Sequence, residues 1–303
     1  MRLPSPSTLV RRTLALLAAG ALFACGGGSP TAPDNLPAQP VLVSPVGGTQ
    51  VSTDTPTFTV QNARGFDSGQ ADYMFRVAIL AHDREIATAT VSAGRGTTSA
   101  TFATPLLRGA TLAWKVIGRN ATAEVSSGTG TFRLPAVECG LTSDPYAKSV
   151  VEWWVPVCSL AQNHYNNPLE VLGPPNGGGK APDSFFGFIS LGDGGHVTVD
   201  MEGCAVDAPG DDIRVYQTVS NEPVTLYASG APGGPYVLVD YRKLCGVKTP
   251  GISSNHCDFD LASAGLEEAR YLRIEDGELY PCPGDTVTEG TDIDAVEILH
   301  RKP

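Results

Sequence analysis

Phe185 to Gln217, FFGFISLGDGGHVTVDMEGCAVDAPGDDIRVYQ, is the stretch whose reading decides the fold. Phe185 to Leu191 is a short apolar run, and Gly192-Asp193-Gly194-Gly195 supplies the residues a tight turn needs. From His196 to Met201, apolar Val197, Val199 and Met201 alternate with polar His196, Thr198 and Asp200, the two-residue period of a half-buried strand. The turn Asp207-Ala208-Pro209-Gly210-Asp211-Asp212 follows, and alternation resumes at Ile213. The segment therefore predicts three strands and two turns, with a hairpin after His196–Met201.

The rest of the chain extends that pattern. Across 303 residues, 34 Gly and 24 Pro against 17% charged residues favour many short strands joined by turns, so the expected class is all-β. The length suits about two domains. A formal charge of -11 repels phosphate backbones, which makes nucleic acid a poor partner.

Residues 1–24 read as an export signal: Arg11-Arg12 is basic, Thr13 to Phe23 is apolar but too short to span a bilayer, and small residues precede Cys25. Leu22-Phe23-Ala24-Cys25 resembles the bacterial lipobox, which implies lipidation of Cys25 and attachment to a membrane. Residues 25–40, beginning Gly26-Gly27-Gly28-Ser29-Pro30, then form a flexible tether. Gly26 in place of Asp resembles lipoproteins sorted to an outer membrane or cell surface. The other six cysteines, Cys139, Cys158, Cys204, Cys245, Cys257 and Cys282, form an even set suited to disulfides in an oxidising compartment. Fifteen pairings are possible. Proximity favours Cys139–Cys158 and Cys245–Cys257, leaving Cys204–Cys282.

Residues 41–135 carry about seven strand-like runs, including Thr57–Val60, Tyr73–Ile79 and Leu112–Gly118. Their order, with Pro45 early, Tyr73-x-Phe75 and Leu112-Ala113-Trp114-Lys115-Val116, resembles bacterial fibronectin type III domains, an immunoglobulin-like sandwich that implies a spacer or interaction module. Trp114 alternates with Leu112 and Val116 and is expected in the core.

Residues 136–303 contain Asn167–Gly177, Gly187–Gly195, Pro209–Tyr216, Arg270–Ile274 and Thr291–Glu297 in order. Together these blocks resemble galactose-binding-like, discoidin-type jelly rolls of bacterial surfaces, so the expected architecture is two antiparallel β-sandwiches, the second a jelly roll. That resemblance implies glycan binding and a structural calcium ion. Calcium needs six to eight oxygens, which Asp207, Asp211 and Asp212, or Asp292, Asp294 and Glu297, could begin to supply. Aspartate is also common in turns for its local hydrogen bonds, a competing use. Trp153, Trp154, Tyr165, Tyr236 and Tyr280 are the aromatic candidates for stacking on sugars. The Trp153-Trp154 pair also suits sealing the junction beside a disulfide, and this is the expected use.

Catalysis is disfavoured. There is no Gly-x-Ser-x-Gly elbow, and His82, His164, His196, His256 and His300 include no pair at the spacing of a zinc peptidase. Acid pairs such as Glu275-Asp276 occur by chance in so acidic a chain. Two functions remain: a tethered surface protein that binds extracellular glycan, or a structural subunit that binds other envelope proteins.

Overall fold

A computed structural model describes residues 36–156, 167–177, 187–218, 222–251, 254–277 and 290–303. Within them the chain is built of strands, and the only helical turns are two short 3-10 segments, Pro168–Val171 and Leu261–Ala264.

The first nine strands are β1 (Val41–Ser44), β2 (Thr49–Gln50), β3 (Thr57–Gln61), β4 (Ala71–Ile79), β5 (Arg84–Ser92), β6 (Thr97–Thr101), β7 (Thr111–Asn120), β8 (Glu124–Ser126) and β9 (Gly130–Arg133). They make two sheets, β1-β3-β6 and β2-β9-β7-β4-β5, with β8 on β7. Every pairing is antiparallel except β2 with β9. Tyr73, Phe75, Val77 and Ile79 are fully buried on β4, as their alternation predicts. Between the sheets, Phe58 meets Phe102, Trp114 and Phe132 edge-on at ring-centre distances of 5.4, 5.0 and 5.3 Å, and Phe75 stacks on Trp114 at 6.1 Å. Trp114 satisfies its indole N–H by donating to the Pro45 carbonyl at 2.6 Å, the partner a buried tryptophan needs.

The next ten strands are β10 (Ser149–Trp154), β11 (Ile189–Ser190), β12 (His196–Val206), β13 (Ile213–Gln217), β14 (Pro223–Ser229), β15 (Val237–Leu244), β16 (Val247–Lys248), β17 (Asn255–Phe259), β18 (Glu268–Asp276) and β19 (Asp292–Ile298). They form the antiparallel sheets β10-β12-β18-β14-β15 and β11-β19-β13-β17-β16. Leaving out β10 and β16, the first, eighth, third and sixth of these strands share one sheet and the second, seventh, fourth and fifth the other, which is jelly-roll order.

The expected hairpin between β12 and β13 does not form. The chain crosses between sheets at this step, with β12 pairing β10 and β18, and β13 pairing β17 and β19. The turn between them is a corner, held by Asp212, whose carboxylate accepts from the backbone N–H groups of Ala208 at 3.0 Å and Leu261 at 2.9 Å.

The disulfides correct the pairing expected from proximity. Cys139 bonds Cys204, which excludes both Cys139–Cys158 and Cys204–Cys282, while Cys245–Cys257 is the expected pair. The reason is local: the segment after the first sandwich runs back along β12, with Gly140 N–H bonded to the Glu202 carbonyl at 2.6 Å, so Cys139 lands beside Cys204. Cys25, Cys158 and Cys282 lie outside the described residues. Disulfides belong to chains that fold in an oxidising, exported compartment.

Both sandwiches belong to one compact unit, Ala32–Pro303. Glu267 and Glu268 N–H groups reach the Gly109 carbonyl at 2.6 and 3.2 Å, and His82 Nε2 meets the Ala262 carbonyl at 2.8 Å. Gly109, at φ 81°, must be glycine, because a Cβ there would stand 2.1 Å from the Glu268 carbonyl oxygen.

Candidate functional site

The sheet β10-β12-β18-β14-β15 buries one face, with Val197, Val199, Leu226, Leu272 and Ile274 at zero exposure, and turns the other outward. Strand alternation places His196, Thr198 and Asp200 of β12 on that outer face, where Thr198 is buried and His196 and Asp200 are half-buried. Register sets His196 opposite both Trp154 and Glu275, and Thr198 opposite both Glu152 and Arg273. Tyr227 of β14 faces Arg273 from the other side.

These side chains form a connected group. The Trp154 ring lies 6.2 Å from the His196 ring, tilted by 30°. Arg273 can only donate, so His196 Nδ1, 3.2 Å away, accepts, and Nε2 carries the hydrogen given to Glu152 at 2.9 Å. Arg273 Nε stands 2.8 Å from Glu275. Farther down the face, Arg270 holds both oxygens of Asp200 in a fork at 2.7 and 2.8 Å. Tyr236 reaches the same region from the loop before β15. Its phenol donates to the Pro232 carbonyl at 2.9 Å, and its pKa is pushed up to about 12 by burial first and then by Glu152. Burial, followed by Glu275, raises Tyr227; burial, followed by Asp200, raises Tyr271.

Trp154 is 49% exposed and Trp153 41%, both on the edge strand. They do not seal the junction between the sandwiches. Among the described residues, hydrogen bonds between the sandwiches fall at Glu267, Glu268, Ala262 and Leu238 and not on β10, and those on β18 lie at the opposite end from Glu275, which pairs with His196. Nor do the two act as a pair: Trp153 registers with buried Val197 and Trp154 with outward His196, so they point to opposite faces. Tyr236 reaches the face that carries Trp154 near Glu152, Arg273 and Asp200, whereas Tyr165 and Tyr280 lie outside the described residues. In the sequence His196 is only a polar position of an alternating strand, and Glu152 and Arg273 belong to no motif. The usable signal was the outward alternation of β12.

The carboxylates proposed for calcium separate. Asp294, almost fully buried, accepts from Asn176 N–H and Gly177 N–H at 3.0 Å each and from the Ser254 hydroxyl at 2.5 Å. Asp292 accepts from the Thr218 hydroxyl at 3.1 Å, and Glu297 from the Tyr216 hydroxyl at 2.6 Å. Their work is joining strand β19 to loops and neighbours. Asp207 and Asp212 do approach each other, but the third member is Asp260 rather than the exposed Asp211: oxygens of Asp207, Asp212 and Asp260 lie within 4.8 Å of one another, the only such group among the described residues. Asp212 already accepts from Ala208, Leu261 and His300 Nδ1, the last at 3.0 Å, and Asp260 caps the 3-10 turn through Ala262 N–H at 2.8 Å. Asp207 keeps open capacity, and its pKa is raised by burial and then by Asp212 and Asp260. The donor set thus fits a hard cation only in part.

Fold and face together define an all-β chain of two sandwiches whose second presents an aromatic and polar sheet surface. No family model matches the chain, and no curated protein does. Among solved structures, domains d3-d4 of the rat CD45 extracellular region are 10% identical over 42% of this chain and 82% of that one, with a TM-score of 0.19. A structure of carbohydrate-binding modules from the β-sandwich superfamily is 11% identical over 89% of this chain and 100% of that one, with a TM-score of 0.21. Bacteroides uniformis β-glucuronidase is 9% identical over 85% of this chain and 28% of that one, with a TM-score of 0.20. Scores this low carry no correspondence of sites.

Proposed function

We propose that the chain is a non-catalytic, lipid-anchored surface protein that binds extracellular glycan through the outer face around Trp154. The observation that carries the reading is an exposed tryptophan ring on an edge strand, oriented by His196 and ringed by Glu152, Arg273 and Glu275. A flat apolar ring stacks on the C–H face of a sugar, while carboxylates and guanidinium groups meet its hydroxyls. The first sandwich serves as spacer. The chain enters it where Arg64 N–H meets the Pro37 carbonyl, near the Ala71 end of β4, and the second sandwich docks at the Ile79 end, where a Cβ on Gly265 would stand 2.8 Å from the Ile79 side chain. Nine residues of β4 correspond to about 30 Å. Anchoring at Cys25 rests on its lipobox-like surroundings, and fatty-acid labelling that persists in Cys25→Ala would remove it. A polysaccharide array probed with the full chain tests the central reading: retention that Trp154→Ala abolishes supports it, and retention unchanged by that substitution contradicts it.

One observation favours assembly with an envelope protein as a second reading. Tyr241, Leu244 and Val247, 52 to 60% exposed, gather where edge strands β15 and β16 meet. Crosslinking at this corner in intact cells distinguishes the readings. Calcium belongs to the proposal only at Asp207, Asp212 and Asp260, where a cation would relieve the repulsion that adds to burial in raising Asp207. Chelator should then lower the melting temperature, and an unchanged transition with no metal by elemental analysis removes the ion.

A further inference from the structure

The charges on the Trp154 face select among glycans, and from them we infer that its ligand is an uncharged, hydroxyl-rich polysaccharide and that polyanionic chains are rejected. This rests on the reading of that face as the glycan surface. An anionic sugar, whether uronate or sulfate, is ordinarily held by a guanidinium with open donors. Here both guanidinium groups near the platform are charge-paired with carboxylates of the chain itself, Arg270 through hydrogen bonds and Arg273 through proximity. Arg270 gives its fork to Asp200 and a further N–H to the Glu138 carbonyl at 2.8 Å. Arg273 has its charge matched by Glu275, 2.8 Å from Nε, and by Glu152, 3.8 Å from one terminal nitrogen, while the other terminal nitrogen donates to His196 and the Nε–H makes no hydrogen bond.

What the face offers a newcomer is acceptor capacity. Glu152, Glu275 and Asp200 bring three carboxylates against two guanidinium groups, and the His196 imidazole has both ring nitrogens engaged by Glu152 and Arg273. Sugar hydroxyls can donate to the carboxylate lone pairs that remain, and the fixed Trp154 ring supplies the stacking surface. A polyanion would set its charges against these carboxylates well within the roughly 8 Å screening length of physiological salt. The overall charge of -11 adds repulsion on approach. Arg242 also belongs to this sheet, its backbone N–H bonded to the Thr225 hydroxyl at 3.2 Å. It stands on β15, four strand spacings or about 19 Å from β10, too far to hold a sugar that stacks on Trp154.

The test measures retention of the full chain at near-physiological salt on neutral matrices (a β-glucan, a galactan and a mannan), on polygalacturonate, on carrageenan and on chitosan. We expect neutral matrices to retain the chain at least about tenfold more strongly than either polyanion, a difference of about 1.4 kcal/mol. Glu152→Gln combined with Glu275→Gln frees Arg273 and should create retention on polygalacturonate, with the melting curve read alongside to show that the variant folds. Wild-type retention on polygalacturonate or carrageenan equal to that on neutral matrices, or a preference for chitosan, would overturn the inference and leave the glycan reading standing. A folded double variant that gains nothing on polygalacturonate would also overturn it. Retention on no matrix would overturn both.

Discussion

The two sandwiches place their aromatic residues in opposite ways. In the first, Phe58, Phe75, Phe102, Phe132 and Trp114 interlock between the sheets, each at 6% exposure or less. In the second, the core is mostly aliphatic, built on residues such as Val197, Val199, Met201, Leu226, Leu272 and Ile274. Tyr216 and Tyr271 are buried there, but Trp153, Trp154, Tyr227, Tyr236 and Tyr241 stand on outer faces and edges. An aromatic core gives rigidity to a module that has only to hold its shape, whereas rings on a sheet surface are solvated area that folding did not require. The second sandwich compensates with covalent links and buried polar ties, Cys139–Cys204, Cys245–Cys257 and the Asp212 and Asp294 corners among them.

If this contrast is right, substitutions should sort by sandwich. Trp114→Ala removes the ring at the centre of the first core and should cost about 3–5 kcal/mol, read from urea unfolding. Replacing Cys139 and Cys204 together by serine opens a link of 65 residues and should cost about 4 kcal/mol, against about 3 for Cys245 and Cys257, separated by 12. A larger loss from the shorter link would break the entropic account of the second sandwich.

A smaller effect is pH-dependent. His256 sits on the other outer face, 6% exposed, with Nδ1 bonded to the Thr249 hydroxyl at 2.9 Å. Burial first, then the Arg214 guanidinium, lowers its pKa from 6.5. The folded state therefore resists protonation: this contribution to stability is complete above pH 6.5 and is lost as pH falls through the lowered value. Melting temperature measured from pH 7.5 down to 5 should decline less in His256→Gln. An identical decline would exclude His256 as the cause.

The smallest stability effect is expected at Trp154. Its ring is half exposed, so Trp154→Ala should change unfolding free energy by no more than about 0.5 kcal/mol while removing glycan retention.

Much of this architecture was legible from periodicity. Tyr73-x-Phe75-x-Val77-x-Ile79 and Leu112-x-Trp114-x-Val116 read correctly because alternation alone decides which side of a strand is buried. What alternation does not encode is the partner of a strand. The supposed hairpin after His196–Met201 therefore became a corner between sheets, and Cys139 found Cys204 across the fold instead of a neighbour in sequence. Asp294 reaches the loop at Asn176 and Gly177 because the last strand returns beside it, and its bonds there go to backbone N–H groups. Asp260 was invisible as a companion of Asp207 and Asp212, since 48 residues separate it from Asp212 and only the docking of the 3-10 turn brings them together. The candidate face was harder still. Glu152, His196 and Arg273 come from three strands and carry no motif.

The most direct measurement is tryptophan oxidation by N-bromosuccinimide, mapped by mass spectrometry with and without the polysaccharide that the array retains best. Trp114, at 1% exposure, should stay unmodified in the folded chain under both conditions. Trp153 and Trp154 should both be oxidised in the free chain, and bound glycan should protect Trp154 far more than Trp153, because the two rings lie on opposite faces of the sheet. Equal oxidation of Trp154 with and without saturating glycan would contradict the account.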